Sequence, residues 1–195
     1  MILGCAGIAV AWVVTLGGQY SLTVNEDRLI NAQNEPQNWL LMNGDYGSMR
    51  YSKLTQINRD NVSDLRMVWA LALGGMQDVG QNGPEAELNP LIDNGFMYTS
   101  DGWGTVYKID ARNPDYGKLL WVADTGVDHE GNTSRSRGIA LWEESVLANL
   151  PDGRVIAIDR ENGEIIWDKE VAVTNEFGTQ ERFLTAPLVA DGKVL

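Results

Sequence analysis

The chain has 195 residues, enough for one ordinary domain with a sizeable core. Its formal net charge is -12 and no basic cluster interrupts it, so nucleic acid is not an expected partner. Seven tryptophans stand beside only three phenylalanines and 21 glycines, which favours a β-rich fold whose sheets pack through indole rings. Cys5 is the single cysteine, so neither an internal disulfide nor a cysteine-based zinc site is expected.

The N-terminal region divides into an apolar and a polar segment. Residues 1–18 contain an uncharged apolar run that is short for a membrane span and is typical of a signal peptide or membrane anchor. Alternatives are lipidation at Cys5, within "ILGC", and a buried core helix. A basic start is missing, which suggests a longer leader. We expect export to the periplasm, with or without a retained anchor, and interpret residues 19–38 as a linker into a domain at 39–195.

From residue 39 onward the sequence consists of short apolar runs separated by turn signals. Runs of four to six residues alternate with Gly, Asn and Asp, the pattern of strands joined by hairpins. The hairpin signals are Asp-Asn-Gly at 93–95, Pro-Asp-Gly at 151–153, Glu-Asn-Gly at 161–163 and Asp-Gly at 191–192. Helical periodicity is confined to a turn or two at 58–65, where Asn or Asp could cap. The fold class predicted is all-β.

A repeat runs through this region. Trp69, Trp121 and Trp167 end successive units at spacings of 52 and 46 residues, and Gly117 and Gly163 each stand four residues before a tryptophan. Four strands in about 45–50 residues are typical of a β-propeller blade. A recurring large flat side chain would pack each blade against its neighbour. We therefore expect two full four-stranded antiparallel blades and the start of another; hairpins of a β-sandwich are the alternative.

The segment 39–71 resembles the N-terminal motif of the PQQ-dependent (quinoprotein) alcohol dehydrogenases. The matching positions are Arg50-Tyr51-Ser52, Leu54, Gln56-Ile57-Asn58, Asn61-Val62, Leu65 and Trp69. The ending "IDRENGEIIW" looks like that family's tryptophan-docking motif, which non-enzymatic propellers share. The resemblance covers residues 39–195 and implies the N-terminal part of an eight-bladed propeller that binds pyrroloquinoline quinone (PQQ) and a Ca²⁺ or lanthanide ion near its axis.

The resemblance also implies three cofactor-binding residues. Glu87 stands where the family has a Glu that contacts PQQ, and Arg137 matches its carboxylate-binding Arg. Thr185 lies near a cofactor-binding Thr, in a register that could instead select Leu184. PQQ is a flat tricarboxylate, so a planar guanidinium suits it, and a nearby carboxylate would orient that Arg or accept a hydrogen bond. Since Glu87 and Arg137 each open the first strand of a blade, we expect them to converge; a solvated rim salt bridge is the alternative.

One departure from the family lies just before Arg137. Where many members have two adjacent cysteines joined as a disulfide over the cofactor, this chain has Gly131 and Asn132. His129 could cover the cofactor instead or be a solvated loop residue. The segment 124–132 has several oxygen ligands without EF-hand spacing, so no metal site is assigned to it.

The resemblance implies that the metal ligands, the catalytic Asp base and a floor Trp follow Leu195, so we assign no catalytic or metal-binding residue to this chain. The implied reaction is base-assisted hydride transfer from an alcohol or sugar to the metal-polarised quinone. Electrons would pass to a cytochrome c or a membrane quinone. The alternative function is a cofactor-free propeller scaffold of the outer-membrane assembly lipoprotein type, anchored through Cys5.

Overall fold

The structure is a computed structural model that describes residues 23–73, 85–129, 135–183 and 185–195. One short α-helix, α1 (Glu26–Ile30), and two 3₁₀ helices, Ala32–Asn34 and Val62–Asp64, precede the strands. The strands are β1 (Glu85–Ala86), β2 (Leu91–Asp93), β3 (Phe96–Ser100), β4 (Val106–Asp110), β5 (Lys118–Ala123), β6 (Arg135–Ser136), β7 (Ile139–Trp142), β8 (Ser145–Asn149), β9 (Arg154–Asp159), β10 (Ile165–Glu170), β11 (Val189–Ala190) and β12 (Lys193–Val194).

Two four-stranded antiparallel sheets dominate the described residues. Strands β2, β3, β4 and β5 form the first sheet in sequence order, here blade 1, and β7, β8, β9 and β10 form the second, blade 2. A third unit begins with the antiparallel pair β11 and β12. Within each blade every strand pairs with its neighbour in the chain, because the connecting turns return the chain directly alongside itself. The predicted all-β architecture of four-stranded blades is confirmed.

The hairpin turns follow the predicted Gly signals. Asn94 and Gly95 join β2 to β3 with φ angles of 52° and 78°, as a two-residue turn with both residues left-handed requires. The Asp191–Gly192 turn between β11 and β12 has the same form. The turn between β7 and β8 lacks glycine: Glu143 adopts a φ of 49° there, and the sequence did not signal it.

The core lies between the inner and middle strands of the two blades. One cluster of buried side chains contains residues of both sheets, among them Tyr98 of β3, Ile139 of β7 and Ile158 of β9. The outer strands β5 and β10 are exposed along most of their length. The first three strands of each blade therefore form the core, and the first strands directly follow the residues of the candidate site.

The recurring tryptophan packs each unit onto the glycine turn of the next. The Trp121 indole is 9% exposed, and a Cβ on Gly163 of blade 2 would lie 2.8 Å from its ring. Trp69 contacts Gly117 of blade 1 in the same way, also at 2.8 Å. The predicted burial between blades is confirmed for Trp121. Trp167 is half-buried and packs on a smaller cluster formed by blade 2 residues and Val189 of the third unit.

Residues 23–38 pack against both blades. Leu29 of α1 is 1% exposed, and Arg28 donates to the buried carboxylate of Asp93 at 2.7 Å. Val24 forms a β-bridge with Glu143. The interpretation of residues 19–38 as a linker stays a prediction, and residues 1–22 lie outside the described part of the chain. Among the residues described, no helix combines the length and apolar character that crossing a membrane demands.

Candidate functional site

Two short segments meet just ahead of the first strands of the blades. Strand β1 runs parallel to β6, with Glu85 opposite Arg135 and Ala86 opposite Ser136. The Glu87 backbone N–H continues the ladder by donating to the Ser136 carbonyl at 2.9 Å. Because side chains alternate along extended chain, the acids at 85 and 87 and the arginines at 135 and 137 project to the same side.

The four charged side chains form a continuous series of ion pairs. Arg137 Nε donates to Glu87 Oε2 at 3.1 Å. The other carboxylate oxygen of Glu87 lies 3.6 Å from Arg135 Nε, which donates to Glu85 Oε2 at 2.7 Å. All four side chains are between 38% and 50% exposed. We call Glu85, Arg135, Glu87 and Arg137 the acid–arginine chain; it brings Glu87 and Arg137 together across 50 residues of sequence.

The backbone beside Thr185 joins the same place. Gly138 has a φ of 136°, and a Cβ on it would lie 3.1 Å from the Ala186 Cβ and 3.9 Å from the Leu88 Cβ. The residues that directly follow Arg137, Thr185 and Glu87 therefore meet at this glycine. The Thr185 carbonyl accepts a hydrogen bond from Asn149 Nδ2 at 3.1 Å, and its side chain is exposed. Leu184, the alternative to Thr185, lies outside the described residues.

The geometry of Arg137 fits a ligand carboxylate. Its Nε is engaged by Glu87, while its two terminal amino groups have no partner among the described residues. Those amino groups form one edge of the guanidinium fork, which matches a carboxylate. Both oxygens of Glu87 face guanidinium groups, so Glu87 is placed to orient Arg137. That Glu87, Arg137 and Thr185 contact PQQ stays a prediction.

Sequence reasoning did not identify Arg135, Glu85 or Ser136. Ser136 is buried, and its hydroxyl is 2.9 Å from the hydroxyl of Ser100 at the end of β3. A signal was present: the stretches Glu-Ala-Glu at 85–87 and Arg-Ser-Arg at 135–137 carry opposite charges at the same two-residue spacing. Two complementary extended segments of this kind pair side by side.

His129 is exposed to solvent, and its ring also contacts blade 1. Its ring stacks on the buried Trp103 indole, with ring centroids 4.1 Å apart and an angle of 13° between the planes. That His129 also covers a cofactor stays a prediction. Gly131 and Asn132 lie outside the described residues. Within the ranges that the structure describes, no three His, Cys, Asp or Glu side chains are grouped so as to hold a metal ion.

The pKa of Lys108 is shifted at the junction of the two blades. Burial lowers the pKa of the Lys108 ammonium, although the carboxylate of Glu161 partly opposes this. Lys108 Nζ donates at 2.6 Å to the carbonyl of Arg160, whose own guanidinium donates to Asp93. These groups border a cavity of about 640 Å³ between the blades, which none of the predicted cofactor residues lines. Lys108 pairs with Glu161, and Arg160 pairs with Asp93, which is the pattern of a structural junction.

The four-stranded blades and their docked tryptophan define a class of protein, the β-propeller, and the acid–arginine chain lies just ahead of the first strands of its blades. The family model for the glucose/ethanol/alcohol dehydrogenase β-propeller domain, labelled PQQ, matches residues 39–180. The chain therefore belongs to the PQQ-dependent alcohol dehydrogenase family.

Similar proteins are named as alcohol dehydrogenases of the same family. The dehydrogenase subunit of a quinone alcohol dehydrogenase from Gluconacetobacter polyoxogenes is 31% identical over 98% of this chain and 26% of its own length. The quinohemoprotein alcohol dehydrogenase of Comamonas testosteroni is 35% identical over 85% of this chain and 22% of its own. Its crystal structure superimposes with a TM-score of 0.72 over 88% of this chain and 24% of the enzyme. The chain thus spans about a quarter of the length of these relatives.

Proposed function

We propose that the protein carries out PQQ-dependent oxidation of an alcohol or a sugar, with this chain supplying the first blades and part of the PQQ site. The observation that supports this most directly is the guanidinium of Arg137, oriented by Glu87 and with its outer edge unengaged among the described residues. Family membership supports PQQ as the carboxylate-bearing ligand that suits such an edge.

When bound, PQQ supplies the two-electron acceptor that the oxidation requires. The part of this chain is to bind and orient. Arg137 would hold a ligand carboxylate through its terminal amino groups, Glu87 would keep the fork in place, and the backbone at Thr185 would border the same region. The close approach at Gly138 keeps the three segments together, since a side chain there would push Ala186 away.

The remaining parts of the proposal concern partners and location. A Ca²⁺ or lanthanide ion would be held outside this chain; a europium-containing methanol dehydrogenase superimposes with a TM-score of 0.73 at 28% identity, over 86% of this chain and 28% of its own. We propose a cytochrome c or a membrane quinone as electron acceptor. The apolar segment 1–18 supports export to the periplasm as a signal peptide or an anchor.

The scaffold function is the weaker candidate, because a cofactor-free propeller has no need for an oriented arginine fork at the ends of its inner strands. One experiment distinguishes the enzyme from the cofactor-free scaffold. PQQ and Ca²⁺ are added to the PQQ-free protein, and both PQQ binding and alcohol-dependent dye reduction are followed. Saturable binding with alcohol-dependent reduction supports the enzyme. Absence of PQQ binding under conditions where the protein is folded supports the scaffold.

Arg137 provides the residue-level test of this proposal. A partly desolvated Arg–carboxylate contact contributes about 1.5–3 kcal/mol, which is about ten- to over a hundredfold in affinity. Arg137→Ala is therefore expected to weaken PQQ binding by that order while leaving folding intact. Arg137→Lys should restore only part of the affinity, because an ammonium lacks the fork. Unchanged binding in Arg137→Ala would remove Arg137 from the site.

A further inference from the structure

We infer that Arg135 is a positioning residue for the PQQ site, acting on Arg137 through the carboxylate of Glu87. This inference rests on the proposed function, because it concerns how the same site holds its ligand. Arg135 does not touch the outer edge of the Arg137 fork. Its contacts are with the two acids, Glu85 and Glu87.

The first step concerns the freedom of Glu87. A half-exposed Glu side chain samples several rotamers, and a single ion pair at a surface restrains it weakly. Here one carboxylate oxygen pairs with Arg137 Nε at 3.1 Å, and the other lies 3.6 Å from Arg135 Nε. Two cations on opposite oxygens fix the plane of the carboxylate. That plane in turn sets the direction in which the Arg137 fork points.

The second step concerns how Arg135 itself is held. Its Nε donates to Glu85 Oε2 at 2.7 Å, and a terminal amino group contacts the same oxygen. Glu85 and Arg135 are direct partners in the parallel β1–β6 pair, so the backbone ladder places their side chains next to each other. Arg135 is therefore held by Glu85 and contacts Glu87 from a defined position.

The third step concerns charge. The acid–arginine chain, with two acids and two arginines, has no net charge, and loss of Arg135 would leave it net negative, which disfavours an anionic ligand. Without Arg135, Glu87 would neutralise Arg137 alone and its second oxygen would face the approaching carboxylate. Arg135 thus both directs the fork and offsets the repulsion between Glu87 and an anion.

A double-mutant cycle tests this. PQQ is titrated, with Ca²⁺ in excess, into the PQQ-free native protein and into Arg135→Gln, Glu87→Gln and the double variant, and the dissociation constant is read from tryptophan fluorescence quenching. Arg135→Gln is expected to raise the dissociation constant about two- to fivefold, the range for one half-exposed ion pair. In the Glu87→Gln background the same change should have no further effect, because its route of action is gone. Arg135→Lys should restore part of the affinity.

The matched control is Arg112→Gln, which removes the same charge and breaks an exposed Arg–Asp pair at the outer end of blade 1. It should leave PQQ affinity unchanged. Equal weakening by Arg112→Gln, or an undiminished effect of Arg135→Gln in the Glu87→Gln background, would overturn the positioning role in favour of general electrostatics or direct contact. An unchanged dissociation constant in Arg135→Gln would also overturn it. Failure of the native protein to bind PQQ at all would instead overturn the proposed function itself, and the positioning role with it.

Discussion

Blades 1 and 2 follow the same local plan but bury different chemistry at one equivalent position. In blade 1 Lys108 pairs across the strands with Trp121, and in blade 2 Ala157 pairs with Trp167. Both sheets have a bulge of one residue just before the tryptophan. The Lys108 side chain is 7% exposed, so the sequence buries an ammonium in one blade at the site where the other buries a methyl group.

The neighbouring blade explains the difference. The carbonyl of Arg160, at the turn of blade 2, accepts hydrogen bonds from both Lys108 Nζ and the Trp121 indole N–H. The ammonium also lies 5.0 Å from the centroid of the Phe96 ring, which further stabilises a cation. Ala157 instead lies in a purely apolar cluster with Val189 and the half-buried Trp167. A repeated motif thus accepts a buried charge only where the adjacent unit supplies an acceptor.

Exchanging the residue types at positions 108 and 157 is expected to have the largest effect on the free energy of unfolding. Ala157→Lys would bury an ammonium with no acceptor and overpack the site, a cost of about 4–8 kcal/mol in the free energy of unfolding. Lys108→Ala should cost only about 1–3 kcal/mol, because the acceptor it leaves is a single carbonyl beside an open cavity. Urea denaturation of both variants measures this. Similar costs for the two would mean that the blades do not differ in the way described.

The second largest difference in stability is expected between replacement of Trp121 and replacement of Trp167 by alanine. Trp121 packs on the turn of the following blade and is 9% exposed, so Trp121→Ala is expected to cost about 3–5 kcal/mol. Trp167 is half-buried, so Trp167→Ala should cost clearly less in this chain. Denaturant midpoints at an unchanged slope are the measurement. A larger loss in Trp167→Ala would show that docking onto a glycine turn contributes little to stability.

A smaller difference in stability is expected between substitutions of Gly117 and Gly163, the glycines that contact the tryptophan rings. Cβ atoms on Gly117 and Gly163 would both lie 2.8 Å from a tryptophan ring, but only Gly163 has a positive φ, of 80°. Gly163→Ala should therefore cost about 1–2 kcal/mol more than Gly117→Ala. Gly178→Ala is the control, since Gly178 has a φ of 76° and open space around it, and it isolates the backbone term. Equal unfolding free energies for Gly117→Ala and Gly163→Ala would contradict this.

The smallest effect is expected at the ends of the third strands. Arg112 donates two hydrogen bonds to Asp110, which lowers the pKa of that carboxyl to about 2, whereas Asp159 of blade 2 accepts from backbone N–H groups. A lowered folded pKa means that the pair stabilises the fold above pH 3.8 and that this is lost as the pH falls towards 2. The contribution is small because Arg112 is exposed and solvent screens the pair.

Arg112→Gln checks that expectation. In this variant the pKa of Asp110 should rise towards 3.8, as followed by NMR titration of the side-chain carboxyl carbon. An Asp110 titration that is the same with and without Arg112 would mean that the ion pair does not form in solution.

Local chemistry was predictable from the sequence, and contacts between distant segments were only partly so. The Asn94–Gly95 turn followed from dipeptide preference, because few residues adopt a positive φ without cost. The meeting of Glu87 and Arg137 followed from their equivalent places before the first strand of each blade. Arg135 was missed because its role depends on the parallel pairing of two two-residue strands, which carry too few residues for a periodic signal.

By itself, the sequence determined the succession of short strands and turns, the recurring tryptophan and the family. Each of these depends on residue types at short, regular spacing. Only the tertiary structure decided which carbonyl accepts the Lys108 ammonium, that His129 stacks on Trp103, and that Arg135 is linked to Arg137 through Glu87. The physical reason is that charge, hydrogen bonding and ring stacking act over a few ångströms. The partner of such a group is set by which segments the packed blades bring within that distance, whatever their separation along the chain.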